Sequence, residues 1–154
     1  MQRRTFMKGT LAGSTVAVAV SAGLLSPSAV LAAWPKGAFE SKSIQDALSG
    51  LMGSADTSPS GDIKIKAPDI AENGAVVPVS VTTSIAGITS IAILAEKNGL
   101  PLAANFELSS NAKGYVSTRI KMGKTSDVIA VVKAGGKAYS ARKNVKVTIG
   151  GCGG

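Results

Sequence analysis

From about residue 61 to residue 149 the chain alternates apolar and polar side chains with a period of two. No helix can bury such a pattern, because successive side chains go to opposite faces only in a strand. Ile63 and Ile65 alternate with Lys64 and Lys66. Val77, Val79, Val81 and Thr83 alternate with Pro78, Ser80 and Thr82. Pro78 has no N–H for a ladder, so this strand is expected at an edge or a bulge. Ile88 to Glu96 reads as a strand closed by the turn signal Lys97-Asn98-Gly99. Leu102, Ala104, Phe106 and Leu108 alternate along the next, followed by Val116, Thr118, Ile120 and Met122. Asp127 to Ala134 ends in Gly135-Gly136, and Lys137 to Ile149 puts Tyr139, Ala141, Val145, Val147 and Ile149 on one face. About seven strands at short spacing predict a mainly β protein with an immunoglobulin-like β-sandwich fold.

A different period precedes this body. In Glu40 to Met52, residues Ile44, Leu48, Leu51 and Met52 share one helical face. Ser43 with Asp46 three residues on resembles a capping box, and Gly53 is a stop. Ala55 to Gly61 is a small polar linker. The expected organisation is a signal over 1–32, a helical segment and linker over 33–60, the sandwich over 61–149 and a glycine arm over 150–154.

The signal is read from MQRRTFMKGTLAGSTVAVAVSAGLLSPSAVLAAWP. Arg3-Arg4, Phe6 and Lys8 ahead of an apolar stretch resemble the bacterial twin-arginine export signal, R-R-x-F-L-K, with Met7 in place of Leu. Gly13, Ser14, Ser21, Gly23 and Pro27 interrupt or close the apolar stretch, which argues against a permanent membrane span. Val30 and Ala32 suit cleavage after Ala32. The mature chain is then expected in the periplasm.

The totals exclude several functions. There is no histidine and one cysteine, so the commonest general base and ordinary zinc or iron–sulfur sites are missing. No metal and no cofactor are expected. Aromatics make up 4% of the chain, too few for a base-stacking platform, so no nucleic-acid role is expected. Without Arg3, Arg4 and Lys8, the 17 basic residues fall to 14 against 9 acidic ones. The remaining lysines are scattered singly among the strands, which reads as a solvated basic surface with a mild preference for anions or acidic partners.

The one cysteine, Cys152, lies in the terminal sequence VTIGGCGG. Glycine carries no side chain and samples φ of either sign, so Gly150, Gly151, Gly153 and Gly154 make a thin, flexible arm. Five extended residues reach roughly 17 Å beyond the last strand. No neighbouring side chain helps the thiol to ionise, so Cys152 is expected to titrate like a free cysteine. A mobile thiol without a positioned base is a poor catalyst. It suits a handle on which other enzymes act, and the protein is read as a non-enzyme. The alternative is an exported structural or interaction module cross-linked through Cys152, with disulfide-linked dimers.

VKVTIGGCGG, from Val145 to Gly154, is similar to the C-terminus of the SoxY family, sulfur-compound carriers of the periplasmic Sox thiosulfate-oxidation system. The resemblance extends to the twin-arginine start, the helix-first β body, and the stretches GLPLA from Gly99 and STRIKM from Ser117. It implies a heterodimer with SoxZ, exported together with it. It also implies that Cys152 carries the pathway intermediates covalently. SoxAX would couple thiosulfate to the thiol, SoxB would remove the sulfone group as sulfate, and SoxCD, where present, would oxidise the remaining sulfane.

Overall fold

The structure is a computed structural model that describes residues 35–148. The twin-arginine segment and the glycine arm with Cys152 lie outside the described residues.

The helical segment forms two helices, α1 (Lys36–Glu40) and α2 (Ile44–Met52), where the sequence reading has one from Glu40. The break falls at the residues before Ser43. The Ser43 hydroxyl accepts the Asp46 N–H at 3.0 Å and donates to the Asp46 carboxylate at 2.7 Å. That reciprocal cap fixes the start of α2 at Ile44. Gly53 ends α2 in the left-handed region at φ 80°.

The seven long strands are β2 (Ile63–Lys66), β4 (Val77–Thr83), β5 (Ile88–Ala95), β6 (Leu102–Glu107), β7 (Tyr115–Ile120), β8 (Ser126–Ala134) and β9 (Lys137–Val147). Two short strands join them, β1 (Ser58–Pro59) and β3 (Ile70–Ala71). A small sheet has the order β2-β4-β7, and a large one runs β1-β9-β8-β5-β6 with β3 also on β9. The expected mainly β sandwich is thus present. Its long strands divide in the immunoglobulin-like way, with β6 joined to the β9-β8-β5 sheet.

Between the sheets lies a core of alternate residues, including Val77, Val79 and Val81 of β4, Ile91 and Ile93 of β5, Val128, Ala130 and Val132 of β8, and Val145 of β9. The outer face of the large sheet is also covered. Ala92 and Leu94 of β5 and Ile129 and Val131 of β8 pack against Ala38, Ala47 and Leu48, with Ile44, Leu51 and Met52 around them. The apolar stripe of α2 therefore does what its spacing predicts, and the molecule has three layers: helices, large sheet, small sheet.

Two strand readings are corrected. The strand with Pro78 is the middle strand of the small sheet, not an edge. Its pairing with β2 ends at Ser80, so Pro78 meets only one neighbour, β7, where it lies opposite Arg119. Leu102 does not share a face with Ala104 and Phe106. The β5–β6 register shifts between Ile93 and Leu94, pairing Ile93 with Ala104 but Leu94 with Leu102. This bulge turns Leu102 toward the helices, while Ala104 and Phe106 pack on the inner core.

Candidate functional site

The chemistry predicted from the sequence centres on Cys152, with Gly150, Gly151, Gly153 and Gly154; all five lie outside the described residues. What the structure defines is the base from which that segment leaves, the end of β9 at Val147 and Thr148.

This base is held from both sides. On one side β8 pairs antiparallel, with Ser126 opposite Val145. Just before β8 the Thr125 hydroxyl accepts the Val147 N–H at 2.9 Å and donates to the Val147 carbonyl at 3.3 Å. On the other side β3 pairs parallel, with Ile70 opposite Lys146 and Ala71 opposite Val147. The Lys146 N–H donates to the Asp69 carbonyl at 2.9 Å, and the Thr148 N–H to the Ala71 carbonyl at 3.1 Å. Gly74 closes the clamp from a third direction: its carbonyl accepts the Met122 N–H at 2.7 Å. A Cβ on Gly74 would press into the Met122 carbonyl and come within 2.8 Å of Val147 Cγ1. Only glycine lets the backbone approach this closely.

Charges on β9 are tied down upstream of this point. Arg142 pairs with Glu96 at 2.9 Å and Asp127 at 3.8 Å. Lys143, on the inward row where the sandwich opens, donates to the Ala67 carbonyl at 2.7 Å and pairs with Asp69 at 3.1 Å. Each exposed pair is worth little alone, but the Lys143 bonds lace the segment ahead of β3 to β9.

The same end of the sandwich gathers the loops. Asn98, in the β5–β6 turn, donates to the Lys121 carbonyl at 2.6 Å and accepts the Gly123 N–H at 3.0 Å. Between them lies a groove of about 720 Å3 lined by Lys97, Leu100, Ala103, Arg119, Lys121 and Lys124, among others. Single lysines on separate strands and turns, read in the sequence as scattered, are collected here by the fold. On the open face of the small sheet, near the other end, Tyr115 is exposed. Hydrogen bonding with Ser80 and then Ser117, together with the Lys66 charge, holds its phenol below the usual range.

Among the described residues no group of three or more His, Cys, Asp or Glu side chains could hold a metal ion. No described helix is long and apolar enough to cross a membrane.

Sequence reasoning missed Thr125, Gly74 and β3 as the clamp. A two-residue parallel strand has no periodic signal, and a threonine in a loop looks like any other turn residue. The one available hint was Gly74 within Asn73-Gly74, which a turn signal alone already accounts for.

In sequence, the last strand of this β-sandwich leads to the single cysteine and its glycines. The family model described as sulfur oxidation protein SoxY matches residues 48–152, ending on Cys152 itself. The structure is similar to that of the sulfur carrier protein SoxY from Chlorobium limicola f thiosulfatophilum, at 48% identity and a TM-score of 0.63, covering 69% of this chain and 96% of that one. It is also similar to a superoxide reductase (neelaredoxin) from Ignicoccus hospitalis, at 20% identity and a TM-score of 0.50, covering 56% and 80%; that likeness concerns the fold alone. No curated protein matches at a significant level. The chain belongs to the SoxY family.

Proposed function

We propose that this protein is a covalent carrier of sulfur intermediates in thiosulfate oxidation, with Cys152 as the point of attachment. The observation that carries the reading is the match to the SoxY family, which runs to Cys152, the only cysteine of the chain. The clamp on Val147 and Thr148 supports it, because a carrier needs a fixed base from which a thin segment can enter partner active sites.

The chemistry balances with partner enzymes supplying what the chain lacks. Coupling of the Cys152 thiol to thiosulfate forms an S–S bond and gives Cys–S–S–SO3−. It releases one proton and two electrons, which pass to the haem protein SoxAX. Hydrolysis by SoxB adds one water, breaks the bond to the sulfone sulfur, and releases sulfate and two protons, leaving a cysteine persulfide anion. SoxCD oxidises that sulfane where it is present. Gly150, Gly151, Gly153 and Gly154 keep the segment narrow, SoxZ is the heterodimeric partner, and the Arg3-Arg4 signal directs export to the periplasm through the twin-arginine route.

Sulfane-labelled 35S-thiosulfate offered with the SoxAX-type enzyme tests this. The wild-type chain takes up label that a thiol reductant releases, and Cys152→Ser takes up none. Gly151→Val and Gly153→Val fold normally but lose turnover by the partner enzymes; unchanged turnover would count against a narrow entry. Protein recovered only as a Cys152–Cys152 disulfide, without label, would favour the cross-linked module.

A further inference from the structure

Four cations meet at the end of the sandwich from which the cysteine segment departs. Lys97 lies in the β5–β6 turn, Arg119 near the end of β7, and Lys121 and Lys124 in the β7–β8 loop. All four are exposed, and none forms an ion pair among the described residues, unlike Arg142 and Lys143 nearby. Glu72, which follows β3 at this end, pairs with none of them either.

The groove is preorganised. Asn98 ties the turn to the loop through the Lys121 carbonyl and the Gly123 N–H, and the Met122 N–H ties the loop to Gly74. Leu100, which is exposed, adds apolar surface to its lining together with Ala103 and Ile120. It also adjoins the clamp. Lys124 immediately precedes Thr125, whose hydroxyl grips Val147. Covalent geometry keeps Cys152, four residues past Thr148, within about 14 Å of it.

We infer that this basic groove is a docking surface for an acidic surface segment on the proteins that act on Cys152. The inference rests on the carrier reading for the identity of those proteins. A protein that draws in the terminal segment must sit over its base, and the base is flanked by this groove. Uncompensated cations on one side raise the encounter rate of a complementary acidic surface by about 10-fold to 1,000-fold at low salt. One small oxoanion would fill a minor part of about 720 Å3, whereas a row of carboxylates spans charges spread over a turn, a strand and a loop. No aromatic side chain lines the groove, so it lacks the stacking surface that single-stranded nucleic acid uses.

The test uses hexaglutamate as probe and amide shifts of the full chain as readout. The groove variant is Lys97→Glu, Arg119→Glu, Lys121→Glu and Lys124→Glu. The control, Lys42→Glu, Lys64→Glu, Lys113→Glu and Lys137→Glu, changes the net charge equally but elsewhere. The expected result is saturable binding centred on the four groove residues, weakened at least tenfold in the groove variant and by high salt, and within about threefold of wild type in the control. In SoxB turnover of the loaded carrier, the groove variant should lose at least tenfold in kcat/KM with kcat retained. Binding centred elsewhere, equal weakening in both variants, or an unchanged kcat/KM would overturn the docking surface. Hexaglutamate bound in the groove of a chain whose Cys152 takes up no sulfur would support the acidic docking surface while overturning the carrier reading.

Discussion

In β4 of the small sheet buried and open residues alternate from Val77 to Thr83, whereas in β5 of the large sheet Ser90 to Ala95 are all buried. Both strands have the same pleat. The difference is the cover: the small sheet meets the core on one face only, and the large sheet meets the core on one face and the helices on the other. The large sheet is thereby a fixed scaffold, and it is the sheet whose strand β9 leads to the cysteine. The small sheet keeps a polar face, where Ser80 and Ser117 share a hydrogen bond of 2.9 Å. Burial from both sides holds β5 and β8, and β9 is anchored by its pairing with β8.

The contrast can be broken at the helix layer. Leu94, fully buried, faces the helices, and Val81, also fully buried, faces the core between the sheets. Leu94→Ala should cost about 2–5 kcal/mol in urea unfolding, the range for a leucine in a close-packed core. A cost below about 1 kcal/mol would mean that the helices shield the sheet without packing on it. At the clamp, Gly74→Val should destabilise by about 1–3 kcal/mol, since the new atoms have no space beside Met122 and Val147. Hydrogen exchange at the Val147 and Thr148 amides should rise in the same variant. Unchanged exchange there would show that Gly74 supports the fold but not the base. The smallest effect is expected at Ser126, buried opposite Val145 with an Oγ that has no hydrogen-bond partner among the described residues. Ser126→Ala should change stability by less than about 0.5 kcal/mol, because the hydroxyl removed was unsatisfied. A larger loss would reveal a bond that holds β8 against β9.

These elements also show what sequence can and cannot tell. Five of the seven long strands follow from period-two runs, whereas β5 and β8, covered on both faces, were legible as apolar runs closed by turn signals. The stripe of α2 and its Ser43 cap follow from spacing in the same way. The bulge that turns Leu102 over was hidden, since a register shift depends on the partner strand and not on Leu102 to Phe106 alone. The middle position of β4 was hidden for the same reason: Pro78 signals a missing N–H, and β2 happens to end before reaching it. At the candidate site the sequence offers Cys152 and its glycines, which lie outside the described residues. The clamp was not legible, because Thr125, Gly74 and Ala71 come from three separate loops and short strands that only the fold brings to Val147. The gathering of Lys97, Arg119, Lys121 and Lys124 was lost for the same reason, each cation being single in its own stretch of sequence.

The central claim is that Cys152 carries sulfur. Intact mass of the exported protein, before and after thiosulfate with the SoxAX-type enzyme and beside Cys152→Ser, tests it most directly. The account predicts a reducible S–SO3− adduct on the wild-type chain and none on the variant. A thiol that never gains sulfur, and is recovered only in a protein–protein disulfide, would contradict it.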